Sequence, residues 1–392
     1  MMKKVSILFL IIIILLQVDL HAQSISSNLQ KKVEIEIDSI MRKLEVVGLS
    51  VVVVDKSEIV YKKSFGFKSL SADKNVALKN DDLFRIASVS KTFVATSIFQ
   101  LIERGLLNLD DDVNPFLKFK LQHPKFKDIP ITVKMLLSHR SSINDSQRYY
   151  SFDMIDPKKN KKYYLCYNDY APGTDYQYCN YNYNILAAVI EGITGTRFDD
   201  YVEKNILDPL GLKASYNVNR LDSNLFVPSY RYNDEYKSYM PVADVFKPYT
   251  WHLSGKKYKS GIYTPLFSPT GGLKITAKGL AKYMIMHING GILGKKQIIS
   301  PKSEMLMRSG LIQKANYAFS FRKYTSLLPG HTMYGQTGGS LGVLSAMIFD
   351  PEERFGFVVI TNGCKSVSID GYEDLHKSVI RCLYKNIITK KN

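Results

Sequence analysis

Phe84-Arg85-Ile86-Ala87-Ser88-Val89-Ser90-Lys91-Thr92-Phe93-Val94-Ala95-Thr96 is the stretch on which the reading of this chain turns. A strand-like apolar run ends there, and a helical pattern continued by Ile98, Phe99, Leu101 and Ile102 begins. Ser88 is thereby delivered to a helix N-terminus, with Lys91 one turn further along the same face. A serine hydroxyl is a poor nucleophile until a base takes its proton, and a lysine amine does so when burial and neighbouring cations lower its pKa. Free backbone N–H groups at the helix start favour the oxyanion that attack on a carbonyl creates. The same S-x-x-K spacing recurs at Ser71 and Lys74, Ser254 and Lys257, and Ser320 and Lys323, but none of these is followed by an apolar helix. The bland alternative for Ser88 is a helix cap and nothing more.

Two further segments supply polar groups. Pro172-Gly173 makes a turn, and in the extended segment after it Tyr178 and Asn180 are two apart, so they project to one side while Cys179 points away. A tyrosine beside a lysine can carry a proton between nucleophile and leaving group, and an amide can hydrogen-bond a substrate carbonyl. Against this stands a neighbourhood rich in Tyr and Asn, where a purely structural Tyr178 is an ordinary outcome. Further on, Tyr334-Gly335-Gln336-Thr337-Gly338-Gly339-Ser340 places small residues within strand-like surroundings, where an acyl substrate can lie along an exposed strand. The Gly339 N–H is the candidate for a second oxyanion donor.

The order Ser88-x-x-Lys91, Tyr178-x-Asn180, Gln336-Thr337-Gly338 resembles the serine β-lactamase and penicillin-binding protein superfamily, above all the class C β-lactamases and their esterase, peptidase and acyltransferase relatives. Segments 131–139, 184–194 and 270–277 look similar to family stretches as well, so the likeness covers roughly residues 30 to 385. It implies an acyl-enzyme mechanism: Ser88 attacks, Lys91 and Tyr178 relay protons, Asn180 and Gln336 position the substrate, and Thr337, Gly338 and Gly339 line it. One departure concerns substrate choice. Gln336 stands where a class C β-lactamase carries the lysine of K-T-G, and a neutral amide gives no charge-assisted bond to a substrate carboxylate. A neutral ester or amide is therefore expected ahead of a β-lactam or D-alanyl-D-alanine peptide, unless a nearby Lys or Arg compensates. An acyltransferase passing the same acyl group to a bulky alcohol and a non-catalytic cell-wall-binding or penicillin-sensing module remain alternatives.

Gly338-Gly339-Ser340-Leu341-Gly342 also matches G-x-S-x-G, the nucleophile elbow of α/β-hydrolases, with His376 downstream as a base. That elbow needs a helix after the serine, whereas 343–349 and 355–361 both read as strands.

Lys3 and Lys4, then an apolar run from Ile7 to Leu16 and a small residue at Ala22, read as a cleavable signal peptide over residues 1–22. The expectation is a periplasmic or secreted protein with no stable membrane span after processing, and a single catalytic domain over 23–392. Leu29 to Val46 patterns as an amphipathic helix, 49–54 and 59–65 as a hairpin, 317–322, 343–349 and 355–361 as strands, and 372–385 as a closing helix. The fold class that follows is α/β of the α+β kind, an antiparallel sheet from both chain ends (about 29–87 and 312–392), flanked by helices, with a mostly helical middle (about 88–311), and the resemblance implies that it is β-lactamase/transpeptidase-like. No CxxC or HExxH occurs and the histidines lack ligand spacing, so neither metal nor other cofactor is expected. Cys166, Cys179, Cys364 and Cys382 could pair in an oxidising compartment. A net charge of +17 without a nucleic-acid motif points to anionic envelope polymers or substrates rather than DNA or RNA. The partners expected are a small-molecule acyl substrate and a cell-envelope peptide or glycan.

Overall fold

Residues 49–54 read Leu-Ser-Val-Val-Val-Val, a β-branched run suited to a strand covered on both faces. In the computed structural model it forms β1 (Gly48–Asp55), with Val51 and Val53 in one core and Val52 and Val54 in the other. The structure describes residues 26–71, 73–242, 246, 258–309, 315–366, 368–369 and 372–390. The signal-peptide expectation over residues 1–22 lies outside them.

A two-residue turn, Lys56-Ser57, with φ of +50° and +67°, leads from β1 into β2 (Glu58–Ser69). Two positive φ values match the twist of the flanking strands, as two-residue hairpins require. The remaining strands are β3 (Val76–Ala77) and, from the C-terminal end, β7 (Arg322–Tyr324), β8 (Met333–Ser340), β9 (Val343–Asp350) and β10 (Phe355–Thr361). They form one antiparallel sheet in the order β7-β8-β9-β10-β1-β2-β3, built from both chain ends as the patterning predicts.

Helices α1 (Ser27–Lys43) and α5 (Asp374–Leu383) cover one face, burying Val33, Ile37, Val379 and Ile380 against Val51, Val53, Phe357 and Val359. The other face carries α4 (Ala277–Ile288), whose Leu280 and Met284 join Val52, Val54, Met347 and Val358. The same core takes in α2 (Lys91–Glu103) and α3 (Asn180–Thr194). Phe93, Val94, Ile98 and Phe99 of α2 are wholly buried, so the helix that carries Lys91 is fixed on all sides.

Three boundaries differ from expectation. α1 stops at Lys43 because Glu45 turns left-handed (φ +49°), and Val46 N–H donates to Met41 O at 2.9 Å in a Schellman-type stop. The strand expected at 317–322 is instead β7 (Arg322–Tyr324), since Ser320 has φ +82° and Ala318 N–H turns back to Phe321 O. The closing helix begins at Asp374 because Tyr372–Glu373 pairs with Ser368–Ile369. The middle also contains a three-stranded sheet of β4 (Phe84–Arg85), β6 (Lys274–Ile275) and β5 (Ala214–Ser215), with Arg85 and Ser215 each opposite Lys274. Two-residue strands leave no periodicity for a sequence to show. Among the described residues no helix is long and apolar enough to cross a membrane, and no disulfide joins the four cysteines.

Candidate active site

Ser88 is held on strained backbone. β4 runs into Ala87, a non-glycine residue at φ +45°, and a 3-10 turn, Ala87–Ser90, then feeds α2. The turn packs against β8, which approaches only because residue 338 is glycine: a Cβ there would lie 2.6 Å from Ile86 O and 2.8 Å from Ser88 N. No side-chain capping bond is made at the start of the turn or of α2, so the cap reading of Ser88 finds no bond in its support.

Lys91 opens α2 with its side chain wholly buried. Its Nζ lies 3.0 Å from Ser88 Oγ, 2.9 Å from Asn180 Oδ1 and 2.9 Å from the Thr270 carbonyl oxygen. Burial pushes the Lys91 amine down to about 7; the Asp145 carboxylate works against this shift and the Arg85 guanidinium with it. Near neutral pH a substantial fraction of Lys91 is therefore free amine, able to accept the Ser88 proton.

Tyr178 stands on the other side of the serine. Burial, the larger effect, pushes its hydroxyl up to about 12, while the Ser88 hydroxyl acts to lower its pKa. The phenol thus stays protonated as a donor. Lys91 Nζ lies 5.1 Å from the centre of the Tyr178 ring, and Gln336 Nε2 is 3.4 Å from the Tyr178 hydroxyl. Gln336 is only 3% exposed, with its amide turned to the tyrosine.

The S-x-x-K, Y-x-N and Q-T-G elements are thus brought together around one hydroxyl. β7 pairs only with Met333–Gly335, so from Gln336 onward that side of β8 borders the Ala87–Ser90 turn. Thr337 is half-buried, Gly338 buried and Gly339 exposed, opposite Leu344 in the β8–β9 pair. Ser340 ends β8 and is followed by a Leu341-Gly342 turn into β9, so the G-x-S-x-G match is a hairpin and not a strand–turn–helix elbow.

Three groups that hold this arrangement went unread in the sequence. Asp145 accepts from Asn180 N–H (2.7 Å), Asn180 Nδ2 (2.8 Å) and Tyr181 N–H (3.0 Å), fixing the Asn180 amide with its oxygen toward Lys91. His139 grips the chain on both sides of Tyr178: its carbonyl accepts from Gln177 N–H (3.0 Å) and its Nδ1 from Cys179 N–H (3.1 Å). The His139 ring also lies 4.2 Å from the Tyr178 ring, and burial holds it well below the usual histidine range, so it is neutral. The Thr270 carbonyl is the third. Among the described residues no group of three His, Cys, Asp or Glu side chains is placed to hold a metal ion.

With this geometry in hand, the match of residues 34–376 to the Beta-lactamase family model shows that the chain belongs to that family. It is 27% identical to penicillin-binding protein 4* of Bacillus subtilis over 198 residues, 48% of this chain and 42% of that protein. The chain thus spans about two fifths of the curated relatives it matches. Its fold superposes on the D-amino acid amidase of Ochrobactrum anthropi with a TM-score of 0.68 at 19% identity, covering 93% of this chain and 100% of that one. EstCE1, a hydrolase with promiscuous acyltransferase activity, gives a TM-score of 0.66 at 19% identity, covering 91% and 98%. The chain is thus a member of this family with a β-lactamase/transpeptidase-like fold.

Proposed function

We propose that the protein is an exported serine hydrolase that cleaves an ester or amide through an acyl-enzyme on Ser88. The observation that carries the reading is the buried Lys91 amine, 3.0 Å from Ser88 Oγ and held at about 7. Lys91 takes the Ser88 proton as Oγ adds to the substrate carbonyl. The oxyanion is met by the N–H groups of Ser88 and Gly339. Tyr178, whose phenol stays protonated beside Ser88, passes a proton to the departing alcohol or amine as its bond to the acyl carbon breaks. Water, deprotonated by the same pair, adds to the acyl-enzyme and releases the acid and free Ser88. An alcohol in place of that water makes the enzyme an acyltransferase, an activity that EstCE1 has as a promiscuous one.

Within this chemistry the Gln336 end of the cleft fits a leaving group without a carboxylate, because a neutral amide there offers no charge-assisted bond. A second reading, hydrolysis of β-lactams or D-peptides, is favoured by Arg322. It lies opposite Gly335 in the β7–β8 pair, and its charge reaches Tyr176 and Tyr178. The test is kcat/KM across neutral esters, D-amino-acid amides and a cephalosporin, for the wild type and Gln336→Lys. The substitution should raise kcat/KM for the cephalosporin about tenfold, the worth of exchanging a neutral for a charged hydrogen bond. Cephalosporin hydrolysis as fast as that of any neutral ester, unchanged by the substitution, would favour the Arg322 reading.

A further inference from the structure

A second lysine is buried beside the site and the reaction does not use it. Lys274 of β6 is 2% exposed, and among the described residues its Nζ has no hydrogen bond and no ion pair. A buried ammonium is strongly disfavoured unless an anion accompanies it. Lys274 has the reverse, because Arg85 lies directly opposite it in the β4–β6 pair and two directly paired residues share one face of a sheet. Burial first, and Arg85 second, push Lys274 down to about 7.

Arg85 borders the nucleophile, and Lys274 adjoins Arg85. Arg85 is three residues before Ser88, half-exposed where Lys274 is covered, and makes interactions of its own. Its Nη2 is 3.1 Å from where a Cβ on Gly271 would stand, so glycine at 271 leaves the guanidinium its place. Gly271 follows Thr270, whose carbonyl holds the Lys91 amine, and Leu273 N–H is bonded to Ser90 Oγ at 3.2 Å. The 270–274 segment is therefore the wall of the Ser88 site. Among the cations, Arg322 acts on Tyr178, the leaving-group acid, whereas Arg85 acts on Lys91 and Tyr149. Arg85, with Lys274 paired to it, thus lies on the Lys91 side of Ser88, and Arg322 on the Tyr178 side.

We propose that Lys274, with Arg85 beside it, is a carboxylate-binding subsite for the acyl half of the substrate, so that the favoured acyl donors are half-esters or half-amides of dicarboxylic acids. A carboxylate arriving there supplies the counter-ion that the fold leaves out, and Arg85 offers it a planar two-pronged donor. The inference deepens the Ser88 reading and rests on it for catalysis, but the binding step can be read without turnover.

Two measurements test it. Mono-p-nitrophenyl esters of succinate, glutarate and adipate are compared with p-nitrophenyl butyrate on the wild type, Lys274→Met and Arg322→Gln. Lys274→Met should raise KM at least tenfold for the best of the three half-esters and leave butyrate within about twofold, the discrimination expected of a lost charge-assisted bond. Equal effects on charged and neutral esters, or a selective loss confined to Arg322→Gln, overturn the proposal. Separately, free glutarate and adipate are titrated into wild-type, Ser88→Ala and Lys274→Met protein, with thermal unfolding as the readout. A rise in Tm in the first two and none in the third supports the subsite even where no ester is turned over, and in that case the Ser88 reading alone fails. No rise in the wild type, with neutral esters still hydrolysed through Ser88, overturns the subsite and leaves the hydrolase.

Discussion

Lys91→Met removes the charge from the buried base while keeping a long unbranched side chain, and its effect on stability has a sign that depends on pH. Burial sets Lys91 at about 7 in the folded protein, against an ordinary value of 10.5. Between those values the unfolded chain binds more protons than the folded one, so the wild type gains stability as pH rises through this window. Below pH 7 both states hold the proton and the cost of burying it is constant. At about 1.4 kcal/mol per pH unit, the native lysine costs roughly 4 kcal/mol at pH 7 and about 2 kcal/mol at pH 9. The methionine avoids that cost but leaves Asn180 Oδ1 and the Thr270 carbonyl without Lys91. Those losses come to about 3 kcal/mol together and do not depend on pH in this range. Lys91→Met should therefore be about 1 kcal/mol more stable than wild type at pH 7 and about 1 kcal/mol less stable at pH 9. Lys274 is present in both proteins and cancels. Urea unfolding followed by circular dichroism at pH 6, 7, 8 and 9 measures the difference. A difference that stays constant across the series would refute the reasoning, because it would mean that Lys91 is charged throughout and is not the resting base.

Asp145→Asn removes the anion that holds Lys91's pKa up, so the acid limb of kcat/KM should move to lower pH while kcat falls ten- to a hundredfold through the loosened Asn180; a pH–rate profile reads both, and a limb that moves upward contradicts the assignment. His139→Phe orphans the Cys179 N–H, costing about 1–3 kcal/mol, and should lower kcat for small esters with little change in KM, whereas His139→Asn, which restores an acceptor, should recover part of the loss.

The sheet and the nucleophile were legible because each is written locally. The Val51–Val54 run, the apolar face behind Ser88 and Lys91, and the glycines of 335–339 are read within a few residues of themselves. What escaped is held across distance. Asp145 lies 35 residues from the Asn180 amide it fixes, and the acceptor at Thr270 is a backbone carbonyl, which no residue type betrays. His139 was visible in the sequence, but its role depends on a left-handed backbone (φ +57°) that brings its carbonyl and ring to the two flanks of Tyr178. Nothing in the sequence singles out Lys274 until β4 and β6 are seen to pair and set it against Arg85.

The central claim is that Ser88 becomes covalently acylated, and intact-protein mass spectrometry after treatment with a fluorophosphonate tests it most directly. Wild type and Ser340→Ala should each gain the mass of a single adduct at neutral pH, and Ser88→Ala should gain none. An adduct that persists on the Ser88→Ala protein would contradict the account.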